Sequence, residues 1–185
     1  MTDEQLRAAL VEHAYLEGDF VLRSGRRSRY YLDKYRFETR PELLEALGAR
    51  IADAVTEAEP DASRLAGPEL GAVTLLAAAS LHSRLPFVIV RKQAKDYGTA
   101  RRLEGEFEPG ERVCLVEDVV TSGGAAVETV KVLREAGLEC QTAVCVVDRG
   151  EGGSAALAGH AVALRPLFSA AELLSLRESA AKAHD

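Results

Sequence analysis

Glu117 and Asp118 stand directly behind four apolar residues, Val113 to Val116, and just ahead of Thr121-Ser122-Gly123-Gly124. The apolar run suits a strand buried on both faces. From Ala125 on, Val127, Val130, Val132 and Leu133 fall near helical spacing, and Gly137 makes a C-cap. Small residues between strand and helix let backbone N–H groups converge on an anion at the positive end of the new helix. The segment therefore predicts a phosphate cradle. It is neither a Walker A loop, which needs Lys before Ser or Thr, nor a G-x-G-x-x-G fingerprint. Two carboxylates beside a phosphate do nothing for the phosphate itself. They suit a ligand that also carries vicinal hydroxyls or a Mg²⁺ ion, and a ribose 5-phosphate has that shape.

Three further segments could serve the same ligand. Residues 90–111, "VRKQAKDYGTARRLEGEFEPGE", leave a buried strand with Arg91, Lys92 and Lys95 and later carry Arg101 and Arg102. Connections of this length are usually functional or disordered. A cationic, glycine-hinged lid could close over a polyphosphate and exclude water; a solvated charged hairpin is the alternative. Gly67-Pro68-Glu69-Leu70-Gly71 could offer amides to a second phosphate group, or merely turn the chain. Arg149, in Asp148-Arg149-Gly150, could meet a planar ligand bearing carboxylate or carbonyl oxygens, or simply pair with Asp148 or Glu151.

The elements that must carry these residues alternate. Thr2-x-x-Gln5 reads as a capping box for a helix to about Ala14, and Phe20 to Tyr35 as a hairpin turning near Ser24-Gly25-Arg26. Thr39-Arg40-Pro41-Glu42 reads as a second capping box, leading a helix to about Thr56. Then follow a strand at Arg64 to Ala66, a helix from Gly71 to Ser83, and strands at Phe87 to Arg91 and Ala143 to Val147. Ser169-x-x-Glu172 caps a last short helix. This alternation predicts an α/β fold with a mainly parallel, doubly wound sheet, whose ligand lies beyond the carboxyl ends of the strands.

With 185 residues, the chain is expected to form a single domain: a small N-terminal hood from 1–40, a core over about 41–168 and a short helix at 169–178. A net charge of −6 argues against general nucleic-acid binding. Cys114, Cys140 and Cys145 lie in apolar runs and read as buried thiols in a reducing compartment. No apolar run is long enough to span a membrane, and no signal peptide opens the chain, so a cytoplasmic location is expected.

"VCLVEDVVTSGGA" resembles the phosphoribosyl-diphosphate (PRPP) signature of the type I phosphoribosyltransferases. "RKQAKDYGTARRLEG" is similar to the mobile catalytic loop of their orotate-specific branch. "LRSGRRSRYYLD" resembles that branch's hood, and "VVDRGEGG" its orotate-contacting arginine loop. The likeness covers about residues 18–153, with the motifs in the same order. It implies the type I phosphoribosyltransferase fold and transfer of ribose 5-phosphate from PRPP to orotate in UMP biosynthesis.

The resemblance also implies roles. PRPP would be bound by Arg91, Lys92, Lys95, Tyr97, Glu117, Asp118, Val119, Val120, Thr121, Ser122, Gly123, Gly124 and Ala125. Orotate would be bound by Thr121, Arg149 and Arg23, and catalysis would rest on Lys95, Arg91, Lys92 and Asp118. Mg²⁺ would be held mainly through PRPP, with Asp118 as a candidate contact, and a homodimer would share lid residues across its interface. Three positions depart from the pattern. Tyr97 replaces a common His, Arg23 replaces a common Lys, and the Gly67 to Gly71 loop lacks a Lys found in some relatives. The alternatives are a phosphoribosyltransferase for another nucleobase and a non-catalytic PRPP-sensing regulator.

Overall fold

The computed structural model describes residues 1–21, 25, 27–93 and 102–182, with the side chains of 178 and 180–182 left out of the description. Arg23, Lys95, Tyr97 and Arg101 lie outside the described residues, so the roles expected of them are not addressed by the fold. The helices are α1 Asp3–Ala14, α2 Tyr35–Glu38, α3 Pro41–Ala58, α4 Val73–Ser83, α5 Gly124–Glu135, α6 Gly153–Ala158 and α7 Ala170–Lys182. The strands are β1 Tyr15–Val21, β2 Arg27–Leu32, β3 Arg64–Pro68, β4 Phe87–Val90, β5 Leu103–Glu104, β6 Arg112–Val120, β7 Glu139–Asp148 and β8 Ala163–Ser169.

β1 and β2 form an antiparallel hairpin, the expected hood element, which begins at Tyr15 and not at Phe20. The remaining strands form one sheet in the order β5-β4-β3-β6-β7-β8. Neighbours are parallel except β4 and β5, where Ile89 and Val90 pair with Glu104 and Leu103. From β3 the chain runs outward to β4, then returns to place β6 on the other side of β3. That reversal is a topological switch point, where open α/β sheets bind ligands.

Alternating strand residues fill two cores. On one face Leu65, Cys114, Val116 and Val144 pack with Leu47 and Ile51 of α3 and Leu75 and Leu76 of α4. On the other, Ala66, Val88, Val113, Leu115 and Ala143 pack with Val130 and Leu133 of α5 and Leu157 of α6. A sheet buried on both faces explains the continuous apolar runs in β6 and β7.

Several local expectations change. Thr39 does not cap α3: its Oγ1 donates to the Tyr35 carbonyl, and Arg40 is the N-cap without a side-chain bond. Pro41 at the first helical position makes the missing donor unimportant. The expected boxes at Thr2/Gln5 and Ser169/Glu172 are both formed. The stretch after Val90 is not structureless throughout, because β5 pairs there and Arg91 N–H donates to the Arg102 carbonyl over 2.7 Å. α6 and β8 carry no strong periodic signal; β8 contains Pro166 and lies at the sheet edge, where a missing donor is tolerated.

Candidate active site

β6 is nine residues long, so Glu117, Asp118, Val119 and Val120 all belong to the strand and not to the loop that follows. Consecutive strand residues point to opposite faces. Asp118 has the parity of Cys114 and Val116, on the α3 and α4 side; Glu117 has that of Val113 and Leu115, on the α5 side. The two acids therefore flank the strand end instead of standing side by side. Both are about 5% exposed, and both line one cavity of about 550 Å³ at the carboxyl edge of the sheet.

The same cavity is lined by every residue from Glu117 to Ala126, by Arg149 and Glu151, and by Tyr31, Leu32 and Lys34 from the hood side. The turn between β6 and α5 is the expected cradle. Gly123 takes φ of +79°, open to glycine at little cost, and no side chain caps α5. Its first N–H groups thus remain for an anion at the positive end of a twelve-residue helix. Gly153 packs beneath this turn.

Asp118 is held at both oxygens. Oδ1 accepts the Val119 N–H, and Oδ2 accepts from Lys34 Nζ. Burial pulls the Lys34 ammonium down, but the attraction and hydrogen bond of Asp118, aided by Glu38, outweigh it and leave Lys34 raised. Burial raises Glu117 to about 8, with the Asp118 charge adding to the shift and Lys34 opposing it. Among the described residues, Glu117 Oε1 is buried with no hydrogen-bond partner. An unpaired buried carboxyl oxygen is costly.

Arg149 follows β7. Its N–H donates to the Val120 carbonyl over 2.9 Å, which ties the arginine loop to the cradle strand. The guanidinium lies 5.2 Å from the Tyr30 ring centre, within cation–π range, and its Nε sits 3.1 Å from Glu151 Oε1. Tyr30 in turn stacks on Tyr15 at 5.6 Å. The hood hairpin thereby orients the arginine.

Arg91 and Lys92 do not line this cavity. They follow β4, where Glu69 reaches both: Oε1 accepts the Lys92 N–H at 2.8 Å, and Oε2 lies 3.4 Å from Arg91 Nε. Arg91 also lies 3.5 Å from Glu104. The Gly67 to Gly71 segment is split between strand and turn, with a cis peptide at Glu69–Leu70. Gly71 sits against Asp118 and Lys34, so this segment touches the acid end of the cavity.

The sequence matches the Phosphoribosyl transferase domain family over residues 38–162. It is 46% identical to an orotate phosphoribosyltransferase of Halobacterium salinarum, over 94% of this chain and 97% of that protein. The chain belongs to the orotate phosphoribosyltransferase family. Among solved structures, UMP synthase of Leishmania donovani superposes with a TM-score of 0.85 at 32% identity, over 98% of this chain and 39% of that one. An orotate phosphoribosyltransferase of Mycobacterium tuberculosis in complex with PRPP superposes with a TM-score of 0.78 at 26% identity, over 92% and 98% of the two chains.

In this orotate phosphoribosyltransferase family member, the hood segment quoted above stops one residue short of Lys34. No motif signals that lysine; only the return of β2 toward the sheet brings it to Asp118. Tyr31 and Leu32 line the cavity for the same reason, and Glu151 lines it from the arginine loop after β7. Among the described residues no group of three His, Cys, Asp or Glu side chains could hold a metal ion.

Proposed function

We propose that this chain transfers ribose 5-phosphate from PRPP to N1 of orotate, giving orotidine 5′-monophosphate and pyrophosphate. The observation that carries this reading is the placement of Glu117 and Asp118 on the same cavity as an uncapped helix N-terminus. The cradle amides of Thr121 to Ala125 bind the 5-phosphate, and Glu117 and Asp118 accept hydrogen bonds from the ribose hydroxyls. As pyrophosphate departs, positive charge grows on the sugar, and the Asp118 carboxylate gives it a negative surrounding. Thr121 and Arg149 orient the acceptor base; a guanidinium stacked on Tyr30 presents a flat donor fork to a carboxylate.

Arg91, Lys92 and Lys95 bind the pyrophosphate, with the Arg91 guanidinium exchanging Glu69 for phosphoryl oxygens. Mg²⁺ would be held mainly through PRPP, with Asp118 as a candidate protein contact, and would supply charge neutralisation at the leaving group. We further assign the chain a homodimeric state with lid residues shared between subunits, and a cytoplasmic location. The three free, buried cysteines suit a reducing compartment. No helix among the described residues is long and apolar enough to cross a membrane.

Pyrophosphate release from PRPP, assayed with orotate, uracil, hypoxanthine or adenine and with or without Mg²⁺, tests the reading. Orotate-dependent, Mg²⁺-dependent release is expected. Release with a purine, or with no base at all, would refute it.

A further inference from the structure

Lys34 and Arg149 are the two cationic side chains among the described residues that line the cavity. Arg149 belongs to the sheet's own loop, whereas Lys34 arrives from the hood, between β2 and α2. Its Nζ donates to Asp118 Oδ2 while the Val119 N–H fixes Oδ1, so the carboxylate is constrained at both ends. The ammonium is itself restrained, lying 5.3 Å from the Tyr35 ring centre. Gly71 leaves the room for this contact, because a Cβ there would land on Asp118 Oδ2 and Lys34 Nζ.

We propose that Lys34 is a positioning residue for the ribosyl-diphosphate site, holding the Asp118 carboxylate in the orientation that accepts a sugar hydroxyl. This rests on the function proposed above. Asp118 has no other cation in contact among the described residues, and without Lys34 its side chain turns free at one oxygen beside two other buried acids, Glu38 and Glu117. A carboxylate with an oxygen already committed to an ammonium keeps lone pairs for a hydroxyl donor. Lys34 acts through Asp118 and needs no contact with the substrate.

The test is a double-mutant cycle read by calorimetric titration of PRPP with Mg²⁺ into the full chain: native, Lys34→Met, Asp118→Asn and both together. Losing a charge-assisted hydrogen bond predicts about ten- to a hundredfold weaker PRPP binding for Lys34→Met in the native background. In the Asp118→Asn background the same change is expected to matter by less than about threefold, since coupled residues are not additive. Lys34→Gln repeats the cycle should the Met variant fold poorly by near-ultraviolet dichroism. Equal losses in both backgrounds overturn the proposal, as does native-strength PRPP binding by either variant. A loss confined to orotate binding also overturns it, placing Lys34 on the acceptor. Absence of PRPP binding by the native chain would overturn the functional reading itself, a result distinct from an additive cycle.

Discussion

Gly153, the first residue of α6, lies directly under Gly123 in the cradle turn. A Cβ added at Gly123 would sit 3.0 Å from the Gly153 Cα and carbonyl oxygen; one added at Gly153 would sit 2.7 Å from the Thr121 carbonyl oxygen and collide with Val120. The two bare backbones define the depth of the cradle. Gly153→Ala must push the turn outward, at a stability cost of about 1–3 kcal/mol for overpacking. Because displacement by about 1 Å can cost on the order of 10²-fold in a positioned site, PRPP binding is expected to weaken by tenfold or more. Thermal melting and calorimetry on the same variant check both numbers.

The buried acids make the ligand-free protein sensitive to pH. Glu117 and Glu38 titrate near 4.5 in the unfolded chain but are raised to about 8 in the fold, foremost by burial. Between those values the folded chain keeps protons that the unfolded chain has released. This contribution is therefore fully present below about pH 4.5 and is lost as pH rises to about 8. The melting temperature is expected to fall between about pH 4.5 and pH 8, and Glu117→Gln to flatten that fall. The same variant should bind PRPP poorly, since the amide is a weaker acceptor for the diol. A Glu117→Gln protein with an unchanged pH profile would contradict the assignment.

Arg149 tests the acceptor side independently. Arg149→Lys keeps the charge but loses the planar fork and the stacking on Tyr30. The KM for orotate is expected to rise about ten- to a hundredfold, the range for a lost charged hydrogen bond. PRPP affinity should stay within about twofold, as the cradle amides and acid pair are untouched. Initial-rate kinetics with each substrate varied in turn separate the two effects.

The cysteines should be inert. Cys114, Cys140 and Cys145 are about 1% exposed or less, and burial raises all three thiols, Cys140 to about 11. Thiolate is the reactive form. Native protein is expected to resist a thiol-specific reagent, and denatured protein to take up three equivalents, counted by mass spectrometry.

The cradle was legible because its chemistry is local. Small residues between a strand and a helix bare the amides whatever surrounds them, so Thr121 to Gly124 could be placed in the turn by type and spacing alone. The acid pair was legible as to identity but not as to arrangement. Whether Glu117 and Asp118 lie in a loop or a strand depends on pairing with β7 up to Val120 and Asp148, a contact across 28 residues of chain. Arg149 was legible as a strand-end arginine, while its stacking on Tyr30 was not, since that ring arrives from the hood. The α3 cap failed because Thr39 had a nearer acceptor in the preceding turn.

Sequence alone determined the alternation of elements, the doubly wound sheet and the phosphate cradle, which follow from periodicity and residue type over short stretches, while the resemblance of four motifs pointed to the family. Tertiary structure decided that Asp118 is shared with Lys34, that Glu117 stands unpaired at the cavity, and that Gly71 and Gly153 set the cavity's walls. The physical reason is range. Helical and strand periodicity act over a few residues, whereas a hydrogen bond between residues 84 positions apart exists only once the sheet's strand order has brought them together.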